Sequence, residues 1–138
     1  ENVEAGRLGL KSGVREMLTA LRAHGWKTGI ASSTRAVIVR KEMQHFGLEQ
    51  MFDQIIGGDM VQHSKPNPEI YQTACRELGV LPAEAYAVED SYNGIRSAAA
   101  AGMQAIMIPD LLPPTPEMEQ LAAKIFPSMG EFQQFLFG

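Results

Sequence analysis

Two adjacent carboxylates, Glu89 and Asp90, directly follow the apolar residues 85–88. A polar pair that follows a strand lies at the edge of a sheet, and carboxylate oxygens are the ligands that a hard cation such as magnesium (Mg2+) prefers. The same position also suits a residue that caps the next helix. The pair therefore predicts either a metal site or a helix cap, and its residue types alone do not decide between the two.

Hydroxyl groups follow a second apolar stretch. Ser32, Ser33 and Thr34 come after residues 26–31 and before a predicted helix. Hydroxyls and backbone N–H groups at a helix start favour bound phosphate, although such residues are also common helix caps. Lys65 lies in the proline-rich loop SKPNP, from which its ammonium can reach a phosphoryl group or remain in solvent. Each signal, taken singly, also has an ordinary structural explanation.

The elements that must position these side chains alternate between helices and short apolar strands. Apolar spacing and terminal glycines predict helices over 13–24, 35–46, 68–78, 93–101, 116–123 and 128–136. Strands are predicted at 26–31, 54–56, 85–88, 104–108 and 124–126. This order is typical of an α/β fold with a mostly parallel sheet and helices on both faces. Ligands bind beyond the carboxyl ends of such strands, where the polar groups lie.

Composition narrows the class of protein. The chain has 138 residues, 45% of them hydrophobic and 20% charged, which suits one compact globular domain. A net charge of -4 with scattered Lys and Arg gives no sign of nucleic-acid binding, and no apolar run is long enough to cross a bilayer. The single cysteine, Cys75, cannot form an internal disulfide, so we expect a cytoplasmic location.

The order and spacing of the polar groups resemble the haloacid dehalogenase (HAD) superfamily, in particular its beta-phosphoglucomutase-like phosphatases. In that family a hydroxyl residue closes a conserved strand, a Lys-Pro follows, and an acidic pair with Ser-x-x-Gly comes next. This chain supplies Ser32, Lys65-Pro66 and Glu89-Asp90-Ser91-x-x-Gly94 in that order. The resemblance extends from about residue 10 to about residue 110.

The resemblance implies a role for each matching residue. Ser32 would bind a phosphoryl oxygen through its hydroxyl, aided by the backbone N–H of Ser33. Lys65 would neutralise the transferring phosphoryl group and orient the nucleophile. Asp90 would ligate Mg2+, with Glu89 as a direct or water-mediated partner. The implied activity is that of a magnesium-dependent phosphatase or phosphomutase on a small phosphorylated metabolite, and hydrolysis is the commoner activity among similar proteins.

The first motif of that family, D-x-D at the end of the central strand, is not in the sequence. Its first Asp is the nucleophile and its second is the general acid and base. None of the four aspartates is separated from another by a single residue: Asp53, Asp59, Asp90 and Asp110. Asp59 is the nearest substitute, but its loop is a poor match. We therefore expect the D-x-D strand and most of a helical cap to precede Glu1.

Two domain assignments follow from that expectation. Residues 1–12 would be a stub returning from the cap, and residues 13–138 would form an incomplete Rossmann-like HAD core. Because the central first strand is missing, we expect its neighbours to keep unpaired backbone groups and apolar surface. The chain alone would be inactive, and its partner would be an upstream segment of the same polypeptide or a swapped copy.

Two other classes of function share part of this set of residues with a phosphotransferase. A non-catalytic HAD-like module would retain the phosphate cradle and bind phosphate, metal or a partner protein. A receiver-like signalling domain combines similar residues, but its acidic pair precedes the hydroxyl, whereas Glu89 and Asp90 follow Ser32. The order of the motifs therefore disfavours the receiver, and the other two classes stay open at this point.

Overall fold

A computed structural model describes residues 13–138, and the predicted cap stub, residues 1–12, lies outside the described residues. The helices are α1 (Val14–Ala23), α2 (Ala36–His45), α3 (Glu69–Leu78), α4 (Tyr92–Ala100), α5 (Pro116–Leu121) and α6 (Met129–Phe137). The strands are β1 (Gly29–Ala31), β2 (Gln54–Ile56), β3 (Tyr86–Glu89), β4 (Gln104–Met107) and β5 (Lys124–Ile125). The predicted α/β alternation is confirmed. None of these helices is long and apolar enough to cross a membrane.

The five strands form two separate parallel sheets. β1 pairs with β2, while β3 pairs with β4 and β4 with β5. Within residues 13–138, no strand hydrogen-bonds to both β1 and β3, so the sheet is divided between these two strands.

Alternate strand residues face opposite sides, and each side has its own apolar core. One core joins Ile30, Ile55 and Ile106 to helices α1, α2 and α6. The other joins Ala31, Ile56 and Met107 to helices α3, α4 and α5. The helices therefore cover both faces of the strands, as the alternation of elements predicts.

Several predicted strand boundaries were wrong by one to three residues, and those of β1 and β3 bear on the site. β1 begins at Gly29 because the N–H of Trp26 donates to the carbonyl of Leu21, 2.9 Å away, in the turn that ends α1. Gly25 has a positive φ of 77° in that turn, a conformation that favours glycine. β3 ends at Glu89, so this carboxylate belongs to the strand and does not follow it. Three short 3-10 turns, Glu49–Met51, Gly58–Met60 and Pro82–Glu84, were not predicted.

A cavity of about 440 Å³ lies between β1 and β3. Its walls include all three residues of β1 and Tyr86 and Val88 of β3. The remaining lining is mostly apolar and comes largely from α1, α3 and α6. The edges of the two sheets therefore face a common apolar space.

Asp53 ties the start of β1 to α1. Its carboxylate accepts the N–H of Thr28 at 2.9 Å and the guanidinium of Arg22 at 2.6 Å. The hydrogen bond from Thr28, and to a smaller extent Arg22, lowers the pKa of Asp53 despite partial burial. The carboxylate therefore stabilises the fold in its charged form.

We expect Asp53→Asn to lower the free energy of unfolding at neutral pH by about 1 kcal/mol, since the pair with Arg22 is partly exposed and screened. Because the folded-state pKa is depressed, this contribution is present above the unfolded pKa of about 3.9 and is lost as pH falls through the lower folded value. Urea unfolding at several pH values measures both effects. Glu84→Gln, at an exposed carboxylate, is the control; an equal loss in the two variants would contradict the assignment.

Candidate active site

Ser32, Ser33 and Thr34 connect β1 to α2. The backbone N–H of Ser32 donates to Ile56 O at 2.9 Å, which extends the strand pairing by one residue. The buried Oγ of Ser32 accepts the N–H of Thr34 at 3.0 Å. That bond uses a lone pair of the hydroxyl and not its O–H donor. The chain thus holds the Ser32 hydroxyl at the carboxyl end of β1.

The residues after β2 fix this loop in place. Gly58 N donates to Thr34 O at 2.9 Å, and Asp59 Oδ1 accepts the N–H of Ala36 at 2.9 Å. A Cβ on Gly57 would overlap the backbone of Ala36, so only glycine permits this approach. The N-cap residue of α2 is Arg35, which forms no side-chain cap, and Asp59 accepts the first N–H of the helix instead.

The acidic pair lies at the carboxyl end of β3. Glu89 is 2% exposed, and Asp90 is half-buried. Ser91 caps α4, since its Oγ accepts the N–H of Gly94 at 3.0 Å. The alternative in which Asp90 is the helix cap is therefore wrong, and Ser91 has that role.

Lys65 connects the two sheets. Its Nζ lies 2.5 Å from Glu89 Oε2 and donates to Ala31 O at 3.1 Å. Ala31 ends β1 and Glu89 ends β3, so one largely buried ammonium contacts the carboxyl ends of both strands. The structure thus brings Lys65 and Glu89 into contact beside Ser32, the residue that follows Ala31.

The loop that carries Lys65 is held by α3 and α4. Glu69 accepts the N–H groups of Gln62 and His63 at 2.9 to 3.2 Å. Ser97 Oγ donates to Asn67 O at 2.7 Å on the other side of Lys65. The hydrogen bonds from Gln62 and His63 lower the pKa of Glu69, with Gln62 the larger cause. These contacts restrain the loop on both sides of Lys65.

Tyr71 was missed as a site residue in the sequence, and Gly94 was named there as part of a motif without a role. Tyr71 donates its hydroxyl to Glu89 Oε2, and its ring centroid lies 5.1 Å from Lys65 Nζ. Gly94 packs so closely on the Glu89 carboxylate that a Cβ there would overlap it. The Ser-x-x-Gly motif marks Gly94, but Tyr71 carries no such signal because it falls on the apolar face of α3.

The acidic pair fits part of a magnesium site. Glu89 Oε2 accepts hydrogen bonds from Lys65 and Tyr71. Asp90 is half-buried and directly follows the last residue of β3. In the part of the chain that the structure describes, no three His, Cys, Asp or Glu side chains are grouped to hold a metal ion. Magnesium commonly takes one or two protein carboxylates and completes its shell with phosphate and water. Asp90 therefore fits the role of one carboxylate ligand to magnesium, with the other ligands supplied by groups outside the acidic pair.

Comparison with known proteins identifies the family. The sequence profile described as "Haloacid dehalogenase-like hydrolase" matches residues 1–108. The chain belongs to this family. The resemblance seen in the motifs is thereby confirmed, as is the assignment of the chain to a family of hydrolases.

Several HAD relatives match the region that contains the site. YhcW of Bacillus subtilis (strain 168) is 41% identical over 100 residues, covering 72% of this chain and 46% of that protein. Hexitol phosphatase B of Escherichia coli (strain K12) is 34% identical over 100 residues, covering 72% and 45%. The chain thus spans about half the length of these curated HAD relatives.

Solved structures agree with the HAD fold. CbbY of Rhodobacter sphaeroides in complex with phosphate superposes with a TM-score of 0.81 at 33% identity, covering 94% of this chain and 60% of that one. A CbbY variant in complex with xylulose-(1,5)bisphosphate gives a TM-score of 0.80 with the same identity and coverage.

We expect Gly94→Ala to cost about 2 kcal/mol of stability, because the added methyl group must displace Glu89 and break its pair with Lys65. The control is Gly130→Ala in α6, where the nearest atom is 3.8 Å from the added Cβ and alanine is the better helix former. Urea unfolding compares the two. Equal stabilities would show that the Gly94 contact does not restrain Glu89.

Glu69→Gln should speed hydrogen exchange at the amides of Gln62 and His63 by about fivefold to tenfold, because a weaker acceptor replaces the carboxylate. Since the folded pKa of Glu69 is lowered, wild-type protection should persist at the ordinary glutamate pKa and fall only as pH drops through the lower value. Glu77→Gln, on the exposed face of the same helix, is the control. Unchanged exchange in Glu69→Gln would contradict this anchoring.

Proposed function

We propose that the full-length protein containing this chain is a magnesium-dependent phosphatase that acts on a small phosphorylated metabolite. The observation that carries the proposal is the position of Lys65 Nζ, which contacts the ends of β1 and β3 and lies beside Ser32. A partly exposed ammonium at the carboxyl edge of a parallel sheet is well placed to stabilise the charge on a transferring phosphoryl group.

Phosphoryl transfer depends mainly on positioning and on electrostatic stabilisation, which these residues supply. Ser32 would donate its hydroxyl to one phosphoryl oxygen, and the exposed Ser33 would donate its backbone N–H to another. Lys65 would neutralise charge on the phosphoryl group, and Glu89 keeps its ammonium in place. The catalytic role of Lys65 and Ser32 is thus binding and charge stabilisation.

Asp90 would hold the magnesium ion, and Glu89 would lie in its surroundings, directly or through water. When bound, magnesium neutralises charge on the phosphoryl oxygens and orients them.

The nucleophile would come from outside residues 1–138. We infer that an apolar strand from another part of the polypeptide occupies the cavity between β1 and β3 and runs parallel to both. An aspartate after that strand would lie between Ser32 and Lys65. Its carboxylate would attack phosphorus as the bond to the ester oxygen breaks, a general acid would protonate the leaving alcohol, and water would then hydrolyse the acyl phosphate. The assignments of residues 1–12 to a cap stub and of 13–138 to an incomplete core remain predictions.

The relatives support a small phosphorylated substrate. A CbbY variant binds xylulose-(1,5)bisphosphate, and another relative is named as a hexitol phosphatase. A phosphorylated sugar or polyol is therefore the substrate class we would screen first. We favour a phosphatase over a mutase, and we expect it to act in the cytoplasm.

In the full-length protein, Lys65→Ala should lower kcat/KM for an aryl phosphate by at least about 100-fold, because a preorganised charge at the transferring group is lost. Asp90→Asn should raise the magnesium concentration needed for half-maximal rate. Lys41→Ala, at an exposed lysine of α2, is the control and should retain wild-type rates. Steady-state kinetics with magnesium present measures all three variants.

Two outcomes would contradict the proposal. Wild-type rates in Lys65→Ala would show that Lys65 does not stabilise the transferring phosphoryl group. A full-length protein that binds phosphate but releases none from any phosphorylated sugar, polyol or aryl phosphate would instead support the non-catalytic binding module.

A further inference from the structure

Tyr71 makes two different contacts with the charged pair at the candidate site. Its hydroxyl donates to Glu89 Oε2, the same oxygen that pairs with Lys65. The face of its ring lies under the Lys65 ammonium, 5.1 Å from ring centroid to Nζ. The side chain is only 3% exposed, so both contacts are made away from solvent.

The hydroxyl is not needed to fill the core. Tyr71 lies on the buried face of α3 with Ile70 and Ala74, where a phenylalanine ring would pack equally well. A buried hydroxyl costs free energy unless it forms a hydrogen bond, and here the acceptor is the Glu89 carboxylate. The hydroxyl of Tyr71 therefore serves as a hydrogen-bond donor to Glu89.

Glu89 needs that donor because its carboxylate is almost fully buried. A buried carboxylate is retained only where charged or polar groups satisfy it. Lys65 and Tyr71 approach Oε2, Ser91 Oγ lies 3.4 Å from Oε1, and Gly94 packs against the carboxyl group. Of these groups, Tyr71 is the one that contacts both members of the ion pair.

We propose that Tyr71 is a positioning residue for the phosphoryl-transfer site. Its hydroxyl holds the Glu89 carboxylate turned toward Lys65, and the face of its ring lies against the Lys65 ammonium. Together these contacts keep the ammonium at the ends of β1 and β3. The inference rests on the proposed function for its kinetic consequence, but the contact between the three side chains does not.

The kinetic test compares Tyr71→Phe with wild type in the full-length protein. We expect kcat for an aryl phosphate to fall about tenfold while KM stays within about twofold. The inhibition constant of orthovanadate, which resembles the transferring phosphoryl group, should rise about tenfold. This constant does not depend on the concentration of active protein, so partial unfolding would leave it unchanged. Tyr86→Phe, whose ring stacks on Trp26, is the matched control and should keep the wild-type constant.

A double-mutant cycle separates action through Glu89 from a general effect on packing. In a Glu89→Gln background, Tyr71→Phe should change the vanadate constant by no more than about twofold. A full tenfold effect in that background, or no effect of Tyr71→Phe in wild type, would overturn the proposal.

A second readout needs no turnover. The NMR signal of the Lys65 Cε methylene should shift in Tyr71→Phe and stay in place in Tyr86→Phe. If wild type lacks phosphatase activity and the signal still shifts, the positioning stands while the proposed function fails. If the signal does not move, the positioning of Lys65 by Tyr71 is refuted whatever the turnover.

Discussion

The largely buried ion pair between Lys65 and Glu89 is the interaction on which the rest of the site depends. Transferring two charged groups from water to a protein interior costs free energy. Removing one partner of such a pair leaves the other charge without a counter-ion and lowers the free energy of unfolding by about 3–5 kcal/mol. The fold accepts this arrangement because Lys65 also donates to Ala31 O and Glu89 also accepts from Tyr71. The pair thereby joins β1 to β3 at the point where the two sheets are otherwise separate.

The surrounding elements serve to keep this pair and the Ser32 hydroxyl at one edge. Gly94 lets α4 approach the Glu89 carboxylate, and Gly57 lets the segment after β2 approach the start of α2. Glu69 and Ser97 hold the Lys65 loop on its two sides. Positioning therefore comes from close backbone approaches and from carboxylate or hydroxyl contacts to the main chain.

Much of this arrangement could be predicted from the sequence. The apolar spacing gave the order of helices and strands, and the rule that ligands lie at the carboxyl ends of parallel strands placed Ser32 and Glu89 near one another. Only the resemblance to the HAD family added Lys65 to this group. The predicted boundaries of β1 and β3 were wrong, because the turn after α1 uses the N–H of Trp26 and because Glu89 is polar yet continues its strand. Sequence periodicity does not contain this information.

The contacts of Tyr71, Asp59 and Glu69 could not be predicted. From the sequence, Tyr71 is predicted only to pack in the core, because it lies on the apolar face of α3. Its hydrogen bond to Glu89 depends on the tertiary fold, which brings the two residues together. The helix-start role of Asp59 likewise depends on how β2 lies beside β1, since Asp59 and Ala36 are 23 residues apart. Long-range pairs of this kind follow from the fold and not from local residue types.

The most direct test of the account is to locate the phosphorylated residue in the full-length protein. A phosphorylated sugar or aryl phosphate would be mixed with the protein, the reaction stopped with acid, and the acyl phosphate trapped with borohydride before peptide mass spectrometry. The account predicts a modified aspartate outside residues 1–138, on an apolar strand, whose modification is lost in Lys65→Ala. A modified carboxylate within residues 1–138, such as Asp59, would contradict it.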